Sequence, residues 1–557
     1  MQKLELFIGS SFCMPFCAKG EAQKRRPSGK DSMLQIQNLT IRHLGDDKNL
    51  LENFNCVVNK GDKAVIIGEE GNGKSTLLKW IYDPALIEPY AHATGRLVSR
   101  NETTGQAEKL GYLPQELPEV DAELSVYDYF QAEPVFWESS PGELGRLARG
   151  FGLSAECFYS DQKMATLSGG EKIKIQLLRL MIMNPTVLLL DEPSNDLDLE
   201  TLTWLEDMIS GWNGAIIYIS HDETLIEKTA NMVIHLEQLY RKRESRWSVK
   251  RVPYRTYVAE RQQSFAKQEM QAASDLRAKK IRDEKWRRIY QSVDHAQEVI
   301  TRQDPPGARL LKKKMKAVLS MEKRFEREDE NMTQRPFAEE AINFVFGENA
   351  ESVPAGKTVL DISLPELKAP DGRVLAKDIH LVVKGAEKIC IVGQNGCGKT
   401  TLLKQIAEAL QTGSGIGRSD LKTIYMPQRY QDELDYRQTP VQYLAETFTR
   451  EEESRNRTYL GALRFTIDEM DHEIGALSGG QKAKLFLLKM TLSKANVLVL
   501  DEPTRNFSPL SGPVIREMLK AFPGAIISVS HDRKFISEVA ETVYELKEDG
   551  LQKADYR

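Results

Sequence analysis

The chain contains itself twice. GEEGNGKST (68 to 76) returns as GQNGCGKTT (393 to 401), GYLPQ (111 to 115) as IYMPQ (424 to 428), and LSGGEK (167 to 172) as LSGGQK (477 to 482). VLLLDEPS (187 to 194) returns as VLVLDEPT (497 to 504), and YISHD (218 to 222) as SVSHD (528 to 532). Order and spacing hold over an offset of roughly 320 residues, so the fold is expected to be two copies of one domain separated by an insert. We place the copies at 33–240 and 336–557 and the insert at 241–335. At 557 residues the chain is in any case too long for a single hydrophobic core.

Each copy carries phosphate chemistry. Gly68 to Ser75 and Gly393 to Thr400 fit G-x-x-x-x-G-K-[ST], each after an apolar strand (KAVIIG, KICIVG) and before a helical run (TLLKWIY, TLLKQIAEAL). In that context backbone N–H groups and a helix start wrap phosphates. The candidate nucleotide-binding residues are therefore Gly68, Glu69, Glu70, Gly71, Asn72, Gly73, Lys74, Ser75 and Thr76, and Gly393, Gln394, Asn395, Gly396, Cys397, Gly398, Lys399, Thr400 and Thr401. Lys74 and Lys399 can offset β/γ-phosphate charge, while Ser75 and Thr400 can hold Mg²⁺. VLLLDE and VLVLDE read as buried strands ending in two acids, with Asp191 and Asp501 aiding the metal and Glu192 and Glu502 where water must be activated. His221 and His531 each follow a further apolar strand, a placement suited to the γ-phosphate. A strand ending in acids or in a histidine means little alone; recurrence at one offset from a phosphate loop is what gives these residues a role.

The insert has a different grammar. From Tyr254 to about Glu330 glycine nearly disappears, Ala, Lys, Arg, Glu and Gln dominate, and the only break is DPPG (304 to 307), which predicts two long helices joined by a turn. Trp286, Tyr290, Val293, Ala296 and Ile300 on one arm and Leu311, Met315, Val318 and Phe325 on the other recur at helical spacing, so the arms can pack antiparallel. Residues 241–330 hold 25 Lys plus Arg against 14 Asp plus Glu, a net of +11 that leaves −16 on the rest of a chain whose total is −5. A basic rod between acidic domains suits a polyanion such as RNA or DNA. A solvated coiled coil of mixed charge is the plainer reading of the same composition.

Composition excludes other classes. No apolar run approaches the roughly 18 residues a membrane-spanning helix needs. Cys13, Cys17, Cys56, Cys157, Cys390 and Cys397 are scattered, which indicates neither a zinc site nor a disulfide framework and fits a reducing cytoplasm. Residues 1–32 read as a disordered extension rather than a signal peptide, because the apolar stretch is short, broken by Pro15 and followed by basic residues.

LSGGE and LSGGQ, taken with the loops and the DE pairs, resemble the ATP-binding cassette superfamily over nearly all of both copies. The resemblance implies an α/β fold with two ABC-type P-loop nucleotide-binding domains, ATP and Mg²⁺ as cofactors, and ATP hydrolysis. It further implies head-to-tail pairing within one chain, most simply a monomer. Ser168, Gly169 and Gly170 would then cap the ATP on the second loop, and Ser478, Gly479 and Gly480 the ATP on the first. By the same comparison Gln115 and Gln428 sense Mg²⁺ and nucleotide, and His43 takes the place of an adenine-stacking aromatic, for which LPELKAPDGRV in the second copy has no counterpart. The loop SNDLD (194 to 198) becomes TRNFS (504 to 508), with Ser508 where an aspartate is expected, so the two ATP sites should be unequal.

Two cassettes with a charged helical linker resemble the ABC-F family, ATPases that act on the ribosome. The resemblance implies a 70S ribosome partner, with the linker entering near the tRNA exit site beside P-site tRNA and touching ribosomal RNA. RQDPPGARLLKKKMK is similar to the tip and second arm of the Lsa-like antibiotic-resistance subgroup, which displaces lincosamides, pleuromutilins and streptogramin A. This places Arg302, Gln303, Asp304, Pro305, Pro306, Arg309, Lys312, Lys313 and Lys314 at an RNA-facing tip near 301–309. The short spacing from loop to glutamine in the first copy, and a sequence that stops soon after the second, separate it from housekeeping members with a large arm or a C-terminal coiled coil. Two alternatives stay open: a housekeeping translation factor, and the tandem ATPase subunit of a membrane importer.

Overall fold

The structure, a computed structural model, describes residues 32–45, 49–100, 106–195, 197–239, 244–299, 305–330, 332–333, 352–412, 421–430 and 433–554. The expected N-terminal extension lies outside these residues except for Ser32, as do Ile300, Arg302, Gln303 and Asp304.

The first copy contributes β1 (Ser32–His43), β2 (Asn49–Asn59), β3 (Lys63–Ile67), β4 (Ala91–Ser99), β5 (Leu110–Leu113), β6 (Val187–Asp191), β7 (Ala215–Ile219), β8 (Met232–Leu239) and β9 (Glu244–Lys250). KAVII, VLLLD and AIIYI have no polar alternation because both faces of these strands are covered, and all three are buried end to end. They form the centre of a six-stranded sheet ordered β5-β6-β7-β3-β8-β9, parallel except for β9. A second, antiparallel sheet runs β2-β1-β4. Leu77, Leu78 and Ile81 of the helix Lys74–Tyr82 pack with Ile66, Leu189 and Ile217 beneath it. Burying each such side chain stabilises by about 1.5–3 kcal/mol.

The second copy repeats the plan with β10 (Thr358–Lys368), β11 (Val374–Lys384), β12 (Lys388–Val392), β13 (Thr423–Met426), β14 (Val497–Asp501), β15 (Ala525–Val529), β16 (Thr542–Lys547) and β17 (Gly550–Ala554). Its sheet order, β13-β14-β15-β12-β16-β17, matches the first strand for strand, with β10 and β11 as a separate hairpin. In both sheets the phosphate loop leaves the carboxyl end of a central strand, the crevice where open α/β sheets bind ligands.

The first cassette does not stop at residue 240. β9 pairs antiparallel with β8 from Leu239↔Glu244 to Val233↔Lys250, and Trp247 sets its ring edge-on to Phe54 at 5.2 Å. RKRESRWSVK reads as linker because an edge strand keeps charge on its solvent side. The described residues through Tyr254 and from 352 onward cluster as one compact unit, and those from Arg255 to 333 as another.

That second unit is a helical hairpin. Its arms are the helices Tyr254–Val299, 46 residues, and Pro305–Glu330. At about 1.5 Å per residue the longer arm reaches roughly 70 Å. Trp286 Nε1 donates to the Val318 carbonyl at 3.1 Å, Arg282 bridges Asp329 at 2.6 Å and Glu328 at 3.3 Å, and Lys279 meets Asp329 at 2.7 Å. Val293 and Val318 are buried in the seam; Tyr290, Ala296, Leu311, Met315 and Phe325 are half-buried. The tip differs from the expected loop of 301–309. Pro305, Pro306 and Arg309 already lie in the opening turns of the second helix, where a missing N–H costs nothing.

Charge is also distributed differently from the expectation. From Arg255 to Glu330 there are 19 Lys plus Arg against 13 Asp plus Glu, a smaller excess than the wider segment gave, since Arg246 and Lys250 belong to β9. What remains is segregated. Residues 305–320 hold Arg309, Lys312, Lys313, Lys314 and Lys316 with no acid, all five exposed, while five acids fall within 322–330. No helix among the described residues is long and apolar enough to cross a membrane.

Candidate active site

Both phosphate loops turn on a glycine that no other residue can replace. Gly68 has φ +147° and Gly393 φ +153°, and a Cβ there would lie 2.2 Å and 2.8 Å from the carbonyl oxygens of Leu236 and Leu546. The loop lysines are held in place by the loops themselves. Lys74 Nζ donates to the carbonyls of Gly68 and Glu69 at 2.9 and 3.0 Å, and Lys399 Nζ to those of Gly393 and Gln394, both at 2.8 Å.

One residue further, hydroxyls meet the strand-end carboxylates. Ser75 Oγ donates to Asp191 Oδ1 at 2.9 Å, and Tyr112 lies 3.4 Å from Oδ2. Burial pushes the Asp191 carboxyl up to about 6 against the opposing Ser75 hydrogen bond. Burial raises Asp501 as well, against a hydrogen bond from Thr400, and Asp501 Oδ2 has no hydrogen-bond partner among the described residues. A buried carboxylate with an open oxygen beside a hydroxyl fits a hard cation. Among the described residues no three His, Cys, Asp or Glu side chains cluster to hold a metal by themselves, so Mg²⁺ at this place would share its shell with nucleotide phosphates.

The next residue on each strand is the glutamate, held in left-handed backbone at φ +51° (Glu192) and +53° (Glu502). Such a conformation in a non-glycine residue costs of order 1–3 kcal/mol and persists where the surroundings enforce it. Here Glu192 N–H donates to the Ile219 carbonyl at 3.1 Å and Glu502 N–H to Val529 at 2.9 Å, locking the turn to the neighbouring strand. The two carboxylates then part company. Glu192 Oε1 is 3.0 Å from His221 Nε2, and His221 Nδ1 bonds the Phe507 carbonyl of the other cassette. A carbonyl only accepts, so Nδ1 carries a proton. Burial would raise Glu192 and lower His221, yet each overrides this for the other, leaving the carboxylate below its ordinary range and the imidazole above. Glu502 is 3.8 Å from His531 Nε2 and accepts instead from the His531 N–H at 3.3 Å. Burial, then Asp501, pushes it up to about 8.

Two cavities open over these groups, each finished by the opposite cassette. The first, about 340 Å³, is lined by Lys74, Ser75, Gln115, Glu192 and His221, with His43 and Tyr90 at one end and Arg505 and Asn506 from the second cassette. The second, about 430 Å³, is lined by Asn395, Lys399, Thr400, Gln428, Glu502 and His531, with Ser194, Asn195 and Leu197 from the first cassette. Both volumes fall in the range of small-molecule sites. Ser168 and Ser478 cap their helices, Gly169–Ile182 and Gly479–Leu492, through boxes with Glu171 and Gln481. Gly480 N–H donates across the interface to Glu70 of the first loop. Ser168, Gly169 and Gly170 are not among the residues lining the second cavity, and Ser478, Gly479 and Gly480 are not among those lining the first.

The loop after the glutamate differs between the two copies. Asp198 accepts from Thr201 N–H at 2.9 Å and starts the helix Leu199–Gly211, whereas beyond Ser508 the helix begins only at Gly512. Burial lowers the Lys399 ammonium, and Asp198 of the first cassette is among the charges that oppose this. Tyr90 lies outside every motif read from the sequence, while Asn195, Arg505 and Arg373 fall inside the quoted stretches without having been given a role of their own. Arg373 lines the second cavity, which has no Phe, Tyr or Trp among its described lining residues, and a guanidinium can stack on a base.

Comparison with known proteins agrees with this architecture. The ABC transporter family matches residues 51–195 and 376–505. The chain is 29% identical to the ATP-binding protein YdiF of Bacillus subtilis over 93% of its own length and 81% of the relative's. It is 25% identical to ABC transporter F family member 5 of Arabidopsis thaliana over 96% of itself and 78% of that protein. A solved structure of ribosome-bound archaeal Pelota and ABCE1 shares the fold at TM-score 0.53 and 16% identity, covering 93% of this chain and 79% of that one. With phosphate loop, carboxylates, LSGG stretch and histidine present in both copies of an ABC fold, the chain is a tandem ATP-binding-cassette ATPase, similar over almost its whole length to a relative of the F family.

Proposed function

We propose that the protein uses ATP binding to engage the ribosome with its helical hairpin and ATP hydrolysis to let go. The observation that carries this is the hairpin. It is two long arms fixed against each other by the Trp286 and Arg282 contacts, with an acid-free run of five exposed cations from Arg309 to Lys316. Such a rod suits a phosphate backbone, and the acids gathered at 322–330 leave its basic half as the end that meets RNA. By resemblance that end, with Arg302, Gln303 and Asp304, lies near the tRNA exit site and P-site tRNA of a 70S particle in the cytoplasm.

At each cavity Lys74 or Lys399 would neutralise the terminal phosphates, and Gln115 or Gln428 would report on bound nucleotide. Ser75 with Asp191, and Thr400 with Asp501, would hold Mg²⁺, which when bound supplies charge neutralisation for the transferred phosphoryl group. Glu192 and Glu502 would orient the attacking water, and His221 and His531 would turn toward the γ-phosphate. The tight Glu192–His221 pair against the loose Glu502–His531 pair supports unequal turnover. The finer reading is ribosomal protection, in which the hairpin displaces lincosamides, pleuromutilins or streptogramin A; RQDPPGARLLKKKMK supports it.

Replacing Lys312, Lys313 and Lys314 together by Glu tests both levels. We expect ribosome affinity to fall at least tenfold with the ATPase rate of the free protein unchanged, and growth protection on lincomycin or tiamulin to disappear. Unaltered ribosome binding would sink the hairpin role. Equal inhibitory concentrations with and without the intact gene would leave a translation factor without drug displacement.

A further inference from the structure

We propose that Glu70 is an internal competitor for the γ-phosphate of ATP in the first cavity and makes the two cavities unequal in ATP affinity. Glu70 stands where the second loop has Asn395. Its carboxylate accepts from Gly480 N–H at the start of the helix Gly479–Leu492. A Cβ on Gly479 or Gly480 would come within 3.1 or 3.2 Å of its oxygens, so the carboxylate rests on bare backbone.

Glu69 beside it holds the loop against that helix. Its Oε2 is 2.8 Å from Lys484 Nζ and its Oε1 accepts from Ser511 Oγ at 3.1 Å, with the Glu69 and Lys484 side chains only 10% and 9% exposed. The loop is therefore docked across the interface by two carboxylates. The second loop has neutral Gln394 and Asn395 at these positions, and Lys174, the counterpart of Lys484, lies over the Trp204 ring at 5.3 Å. The second loop has no carboxylate at either position to dock in this way.

A helix start favours one anion over its N–H groups, and two anions cannot share them. ATP seated on the first loop extends its terminal phosphate toward the same N–H, so Glu70 must leave before the triphosphate is fully held. ADP, which ends one phosphate short, does not reach that point. The contact thus lowers affinity for triphosphate selectively, by a factor of about 2 to 30 on the usual strength of an anion at a helix N-terminus.

The test uses the full chain carrying Lys399→Ala, so that binding reports the first cavity, without ribosomes, titrated with AMP-PNP and with ADP. Glu70→Gln should tighten AMP-PNP by about 2- to 30-fold and leave ADP within twofold. Glu70→Asn, which installs the second loop's residue, should act in the same direction. An AMP-PNP affinity that stays the same or weakens in both variants overturns the proposal. So does equal tightening for both nucleotides, which would mean a reshaped loop rather than a displaced competitor.

Discussion

Removing the charge of Glu223 should loosen the cassettes from each other without unfolding either. Glu223 belongs to the first cassette and meets two cations of the second: Arg516 Nη2 at 2.8 Å and Lys534 Nζ at 2.9 Å, with the Glu223 and Arg516 side chains 10% and 4% exposed. Glu223→Gln keeps the shape, but its single carbonyl oxygen serves one cation and its NH2 group faces the other, so one charge-assisted contact is lost. Such a contact contributes about 1.5–3 kcal/mol. It stays below the 3–5 kcal/mol of a stranded buried charge, because Arg516 keeps Glu538 at 2.7 Å and Lys534 keeps Glu227. Read as an equilibrium between docked and separated cassettes, that is a shift of about 10- to 150-fold toward separation. Energy transfer between dyes on the two cassettes, in nucleotide-free protein, would report it. A double-mutant cycle with Arg516→Ala isolates the pair. A coupling below about 0.5 kcal/mol, the level of an exposed pair, would refute the claim that these charges are buried together.

Other outcomes follow from the same geometry. Glu192→Gln and Glu502→Gln should slow steady-state ATP hydrolysis unequally, Glu192→Gln more, because Glu192 is 3.0 Å and Glu502 3.8 Å from its histidine; equal slowing in the same assay would contradict this. In nucleotide-free, metal-free protein Glu502 should cost stability. Its folded value of about 8 lies above the ordinary 4.5, so the protonated form's stability is fully present below pH 4.5 and lost as pH rises through 8. Glu502→Gln should therefore raise the pH 8 melting temperature by on the order of a few degrees and matter little near pH 4.5. Trp286→Ala removes both the bond to Val318 and the ring contact with Tyr290 at 5.3 Å, and should expose the hairpin to limited proteolysis while leaving nucleotide binding intact.

Sequence alone carries the chemistry of the site better than its assembly. The loops, DE pairs and histidines are legible because each demands particular residues at a short, fixed spacing, and the structure brings the loop lysine, glutamate and histidine of each copy around one cavity. Glu69 and Glu70 are not legible in the same way, since they occupy variable positions of the loop pattern and act only once Gly480, Lys484 and Ser511 arrive from more than 400 residues away. The clasp had a faint signal: HDET in one copy faces HDRK in the other, acids against bases at one offset. The apolar faces of the hairpin's two arms are legible from their spacing, whereas its tip is not, because a proline pair reads as a break and here opens a helix.

The central claim is that nucleotide closes the cassettes into a ribosome-binding state, and sedimentation tests it most directly. The chain carrying Glu192→Gln and Glu502→Gln together would be mixed with purified 70S ribosomes and spun through a sucrose cushion with ATP or with ADP. The account predicts close to one copy per ribosome in the ATP pellet and little in the ADP pellet. Protein left in the supernatant under both conditions would contradict it.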